Sequence, residues 1–167
     1  MVLSIPAQGY RIGLAKVDVT PPLGIWLAGF ANRLEPAKSV NLPLRAVAME
    51  VDDGLTPVLL VSVEWLGFYE HTEPLRQRLS QAIGMPPAQI ILHGTHTHFG
   101  PALRAIDLAR HGSVDTDYLA RACDAMVACA SQAWQERRPA ILQVGRGHCD
   151  IAASRRRLCP TTPSCGS

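Results

Sequence analysis

Between positions 57 and 92 the spacing of the apolar residues changes twice, and this pattern constrains the fold more than any other feature of the chain. Residues 57–64 form a short apolar run, residues 73–83 carry large apolar side chains four positions apart, and residues 90–92 form a second apolar run. Short apolar runs favour strands, whereas a repeat near four favours an amphipathic helix. The order predicts a right-handed crossover helix that joins two parallel strands, the second of them buried.

Two more strands are predicted on the amino-terminal side of this unit. Residues 45–52 are mostly apolar, and Asp53-Gly54 supplies a turn before the run at 57–64. An Asp-Gly turn between apolar strands is a strong hairpin signal, so we expect these two strands to be antiparallel neighbours. Residues 10–19 predict a further strand, because the run is strand-like and ends at a turn rich in Pro and Gly.

The carboxyl-terminal half adds a helix and a strand. Residues 115–135 begin with two acidic residues and carry an apolar stripe at helical spacing, which predicts a long helix. Residues 140–145 predict the last strand. The stripe consists of Leu119, Ala122, Met126, Ala130 and Trp134. The alternation of strands and helices therefore predicts an α/β fold with a mixed β-sheet and crossover helices.

The composition excludes several classes of protein. The chain has 167 residues, 47% of them hydrophobic, which argues against disorder over most of its length. A formal net charge of +2 is too small to indicate nucleic-acid binding. No apolar run approaches the roughly 20 residues that span a bilayer, no signal peptide is evident, and the five cysteines lack disulfide or metal-type spacing. We expect a cytoplasmic protein without a transmembrane segment.

The character of the sequence changes near its end. Residues 152–167 contain three consecutive arginines at 155–157, together with Pro, Ser, Thr and Cys, and show no helical or strand periodicity. We therefore predict a folded portion at residues 1–151 and an irregular or disordered tail at residues 152–167.

The chemistry is concentrated at residues 93–101, which follow the predicted strand 90–92 and include His93, His96 and His98. Open α/β sheets bind ligands at the carboxyl ends of their strands. An extended backbone places two imidazoles two positions apart on one face, and imidazole is a common ligand of transition metals. The spacing leaves two interpretations open, a metal site or a polar loop, because a single-ion site needs three or four protein ligands.

Residues 95–101, Thr-His-Thr-His-Phe-Gly-Pro, resemble the zinc motif of the neutral/alkaline non-lysosomal ceramidase family and its uncharacterised bacterial relatives. The resemblance extends over about residues 9–157, with Ser154 at a position where the family usually has Asn. Four further segments carry it in order: residues 13–24, 27–30, 44–46 and 144–156.

The resemblance implies a zinc-dependent amide hydrolase, whose characterised members cleave the N-acyl bond of ceramide. By position in the motifs, His96 is similar to the zinc-binding histidine, His98 to a histidine that contacts the substrate or the developing oxyanion, and Arg155 to the active-site arginine. It also implies a small-molecule or lipid amide substrate. Because family members are far longer, the α/β fold is expected to be an incomplete part of a larger catalytic domain.

The remaining zinc ligands of the family, a second His, a Glu and a Tyr, lie in regions beyond residue 167. His93 and His148 are the nearest additional candidates for metal ligands, although neither occupies the family's second ligand position. We therefore expect the amino-terminal fragment of a ceramidase-like zinc amidohydrolase, from a truncated or frameshifted gene product, and we expect it to be inactive alone.

Two alternatives remain open at this point. The chain could be a complete small hydrolase whose metal site consists of His93, His96 and His98. It could instead be a non-catalytic interaction domain, in which an exposed last strand at 140–145 leaves an unfinished sheet edge for another polypeptide.

Overall fold

The computed structural model describes residues 3–4, 9–104, 113–151 and 153. The strands are β1 (Leu3–Ser4), β2 (Arg11–Asp18), β3 (Arg45–Asp52), β4 (Val58–Val63), β5 (Ile90–Gly94), β6 (Arg138–Pro139) and β7 (Gln143–Val144). The helices are α1 (Thr72–Ile83) and α2 (Thr116–Gln135), and short 3-10 turns span Tyr69–His71 and Pro87–Gln89. Among the described residues, no helix is long and apolar enough to cross a membrane.

The main sheet has five strands in the order β5-β4-β3-β2-β6. β3 pairs antiparallel with both β2 and β4, and β2 pairs antiparallel with β6. β5 pairs parallel with β4 after the crossover through α1. The predicted α/β class is therefore confirmed, and so are the hairpin of β3 and β4 and the parallel pair of β4 and β5.

Helix α1 follows its predicted pattern. Leu75, Leu79 and Ile83 are its buried residues, and they form one face because they lie four positions apart. Gly84 ends the helix in the left-handed conformation, with φ of 69°, and its N–H bonds to the Ser80 carbonyl. The sequence pattern and the turn chemistry thus specify the same helix.

Helix α2 begins at a capping aspartate and packs across the sheet. The Asp115 carboxylate accepts a hydrogen bond from the backbone N–H of Tyr118 at 2.7 Å. The helix packs against β2, β3 and β4, while α1 packs against α2 and β5, so both helices cover the same face. Gly13 in β2 allows the close approach, because a Cβ atom there would lie 1.7 Å from the Ala133 carbonyl oxygen.

The opposite face of the sheet remains accessible to solvent at both an inner and an outer strand. Leu14 on β2 is 63% exposed and Ile91 on β5 is 52% exposed. The expectation that 90–92 form a buried strand is therefore wrong in part. The helices cover one face of the sheet, so Ile90, whose side chain points toward them, is buried, whereas Ile91 points to the opposite face and is exposed.

The predicted last strand at 140–145 is also corrected. The structure has two short strands instead, because β6 ends at Pro139 and pairs with β2, whereas β7 leaves the main sheet and pairs with β1. Ile141, between them, is 64% exposed. The outer strands of the main sheet are β5 and β6. Association of another polypeptide with a sheet edge stays a prediction. Residues 152 and 154–167 lie outside the described residues, and the predicted tail is not tested.

Candidate functional site

The candidate site lies at the carboxyl ends of β4 and β5, which meet at one edge because the two strands are parallel. Residues 95–101, called here the histidine loop, leave β5 at this edge. A second segment, residues 26–28, pairs antiparallel with the end of this loop. The Ala28 N–H donates to the Gly100 carbonyl at 3.0 Å, and the Ala102 N–H donates to the Trp26 carbonyl at 2.8 Å. The location matches the edge expected from the sequence.

His96 is exposed, but its backbone conformation and the orientation of its ring are both defined. Its φ of 62° is in the left-handed region, which costs energy for a residue with a Cβ atom. Its Nδ1 lies 3.0 Å from the Leu66 carbonyl oxygen, which only accepts, so Nδ1 carries the proton and Nε2 keeps its lone pair. An imidazole oriented by a backbone carbonyl in this way is the usual arrangement of a metal-binding histidine.

His98 lies beside His96, with the two ring centroids 5.3 Å apart. Its half-buried ring sits directly over Gly29, which has a φ of 102°. A Cβ atom on Gly29 would lie 2.4 Å from Cγ of His98, so only glycine fits there. The Phe30 ring meets the His98 ring edge to face at 4.9 Å. The structure therefore brings together the two histidines singled out by the sequence motif.

His93 and His148 do not join them. His93 still belongs to β5 and lies on the sheet face, where its Nδ1 is 2.9 Å from Oγ of Ser62. His148 is exposed and lies 3.4 Å from Asp150. Within the described part of the chain, no three His, Cys, Asp or Glu residues lie close enough to hold a metal ion. The suggested site of three histidines, His93, His96 and His98, is therefore not formed, because the chain turns sharply after β5.

The arginine beside His98 in the described structure is Arg33, which the sequence analysis did not identify. Its Nη2 donates to the His98 carbonyl at 3.0 Å, and its guanidinium lies 5.4 Å from the Phe30 ring centroid and 5.7 Å from that of Phe99. Burial lowers the pKa of Arg33. The predicted catalytic Arg155 lies outside the described residues. No periodic signal marks Arg33, since it belongs to a loop.

A cavity of about 360 Å³ lies beside the histidine loop. It shares Thr97 and Phe99 with that loop and Glu64 with the end of β4. Most of its remaining wall comes from the loop between β2 and β3, where apolar side chains predominate: Pro21, Pro22, Leu23, Leu27, Ala37, Val40, Leu42, Pro43 and Leu44. The site thus combines two imidazoles with an adjacent apolar cavity.

None of the cysteines that the structure describes contributes a thiol to this site. Cys123 and Cys129 are buried on α2, and burial raises the pKa of each thiol. Cys149 is exposed beside His148. All three described cysteines are free, in agreement with the absence of a disulfide pattern in the sequence.

Comparison with known proteins supports the same fold. No family model matches the sequence. Among solved structures, a ceramidase complexed with C2 and the neutral ceramidase from Pseudomonas aeruginosa both superimpose with a TM-score of 0.65 at 18% identity. Each match covers 78% of this chain and 22% of the ceramidase chain, so this chain spans about a fifth of their length. The chain therefore has the fold of a part of a neutral ceramidase.

Proposed function

We propose that this chain is part of a ceramidase-like, zinc-dependent amidohydrolase that cleaves an N-acyl amide bond, and that the chain is inactive by itself. The observation that carries the proposal is the placement of His96 and His98 side by side at the carboxyl ends of β4 and β5, within a ceramidase-like fold. The position of the two histidines in the fold and their residue type both agree with the resemblance of residues 95–101 to the zinc motif of the ceramidase family.

His96 fits the role of one zinc ligand. Its exposed ring donates through Nδ1 to Leu66, which leaves Nε2 available for a cation. One imidazole cannot hold zinc tightly, and the described residues offer no cluster of three ligands. We therefore infer that the other ligands come from outside the described residues. When bound, zinc would lower the pKa of a water molecule toward ~7 and polarise the amide carbonyl.

His98 fits the role of a group that contacts the substrate carbonyl. Its ring is half-buried and fixed against Gly29 and Phe30, so little reordering is needed when charge develops on the carbonyl oxygen. A preorganised donor of this kind contributes about 3 to 4 kcal/mol to stabilisation of the oxyanion. His96 and His98 thus divide the work between metal binding and substrate polarisation.

The cavity beside the histidine loop is suited to bind an apolar substrate chain. It adjoins the histidine loop at Thr97 and Phe99, and its wall from the β2–β3 loop is largely apolar. Burial of an alkyl chain there would contribute about 0.8 kcal/mol for each CH₂ group removed from water. A lipid amide therefore suits the site better than a polar amide of the same size.

A zinc titration tests the proposal. Calorimetry on the full chain should show no site with a dissociation constant below about 1 µM, because the described residues supply only one ligand. NMR at millimolar zinc should perturb the His96 imidazole. Zinc should also shift the signals of the neighbouring His98 imidazole, and this shift should be lost in His96→Ala and retained in the matched variant His93→Ala.

Three results would count against the proposal. Tight binding abolished by His96→Ala would show that the site is complete, and hydrolysis of an N-acyl amide by the chain alone would show the same. Zinc perturbation that survives His96→Ala would show that His96 is not the ligand.

A further inference from the structure

We propose that Arg33 is a positioning residue for His98, through a hydrogen bond to the His98 backbone and contacts with the aromatic rings around it. The consequence for catalysis rests on the proposed function of His98. The geometry itself does not, since it is defined by contacts between described residues.

A tight turn places the Arg33 guanidinium over the ring of Phe30. The backbone N–H of Arg33 bonds to the Phe30 carbonyl at 3.2 Å, which closes a four-residue turn. The chain therefore folds back, and the guanidinium lies 5.4 Å from the Phe30 ring centroid. Phe99, from the histidine loop, contributes a second ring at 5.7 Å. Guanidinium groups interact favourably with aromatic faces at such distances, so both rings hold Arg33 in place.

The same guanidinium reaches the backbone of His98. Nη2 donates to the His98 carbonyl at 3.0 Å, across 65 positions of sequence. Phe30, which Arg33 contacts, is also the ring that meets His98 edge to face. Arg33 therefore acts on His98 twice, directly at the carbonyl and indirectly through Phe30.

Arg33 is also partly buried at a cost to the fold. Its Nη1 is buried and has no hydrogen-bond partner among the residues that the structure describes. A buried donor without a partner destabilises the fold, because its lost hydration is not replaced. An apolar residue could pack against Phe30 and Phe99, which contact each other edge to face, without that cost, but it could not donate to His98. The arrangement favours the position of His98 over local stability.

The chemistry of arginine is specific to this arrangement. A planar guanidinium can contact aromatic rings with its face while an edge N–H donates in another direction. Lysine has one compact charge on a flexible stem and does not do both in a fixed geometry. We therefore expect Arg33→Lys to restore only part of the effect that Arg33→Met removes.

Histidine NMR on the full chain tests the proposal without zinc or substrate. The His98 imidazole signals, assigned with His98→Gln, should carry a ring-current shift from Phe30. In Arg33→Met these signals should lose that shift and broaden, and in Arg33→Lys they should move partway. The signals of His71 and His93 should stay unchanged and report that the fold is intact.

The matched control is Arg78→Met, which removes an arginine from the surface of α1, where it pairs with Asp124. It should leave the His98 signals unaltered. Unchanged His98 signals in folded Arg33→Met would overturn the proposal. Should Arg33→Met fail to fold, the same two outcomes apply to Arg33→Lys. Because zinc is absent, failure here is distinct from failure of the zinc titration.

Discussion

The two ends of the main sheet place charged groups in different ways. At the carboxyl ends of β4 and β5, exposed His96 and half-buried His98 lie in a loop with left-handed backbone. At the other end, Glu50 near the end of β3 is fully buried against Arg137, which follows α2. The first end exposes groups to solvent in a fixed geometry, whereas the second hides its charge beneath a helix. The difference separates groups available for chemistry from groups that hold the fold.

The buried end is an ion cluster between sheet and helix. Nε of Arg137 lies 3.6 Å from Oε2 of Glu50, and its Nη1 lies 3.0 Å from Oδ2 of Asp52. The guanidinium also lies 3.5 Å from the Trp134 ring centroid. Both Glu50 oxygens are buried without a hydrogen bond to another described residue. Burial raises the pKa of Glu50 to about 7, despite the opposing charge of Arg137.

The largest effect is expected where the buried cluster is broken. Arg137→Met leaves the Glu50 carboxylate buried without its cation, a change that typically costs about 3 to 5 kcal/mol. Urea unfolding at pH 8 should show this loss, and the loss should shrink at pH 5, where Glu50 is protonated in the folded state. The double variant Arg137→Met with Glu50→Gln should recover much of the stability. Equal losses at both pH values would contradict the assignment.

The next effect is a pH dependence that belongs to the buried end. The folded pKa of Glu50, about 7, lies above its ordinary value of 4.5, so the folded state binds the proton more tightly. The resulting stability is complete below about pH 4.5 and is lost as pH rises to about 7, by roughly 3 kcal/mol. Glu50→Gln should flatten this part of the profile of unfolding free energy. A control, Glu73→Gln on the α1 surface, should leave it unchanged.

The smallest of the three effects is expected at the histidine end. Gly29→Ala places a methyl group on the His98 ring at a residue with φ of 102°, and we expect a loss of about 1 to 3 kcal/mol. In NMR spectra of Gly29→Ala, the His98 imidazole signals should shift, whereas the signals of the cluster around Glu50 should not change. Gly54→Ala, at a φ of 82° with no atom near the added Cβ, is the matched control for backbone strain alone. If both variants leave His98 in place, the steric contact is not decisive.

Local sequence was sufficient for most of the secondary structure. The four-residue apolar repeat and Gly84 specify α1, and the Asp53-Gly54 turn specifies the hairpin of β3 and β4. These signals act between residues close in sequence, where periodicity and turn chemistry decide the outcome. The failures lie at strand edges. Ile91 is as apolar as a buried strand residue, and it is exposed because the helices cover only the other face of the sheet.

The candidate site likewise has residues that the sequence predicted and contacts that only the structure shows. The sequence by itself predicted His96 and His98 as candidate residues at the carboxyl end of a strand, because they follow an apolar run at a spacing of two. Only the tertiary structure decided that His93 stays apart, that Arg33 reaches His98, and that Glu50 is buried beneath α2. These contacts join residues from separate strands, loops and helices. They therefore depend on how the sheet, the histidine loop and α2 pack against one another. Periodicity describes the faces of one element, whereas packing selects which faces meet.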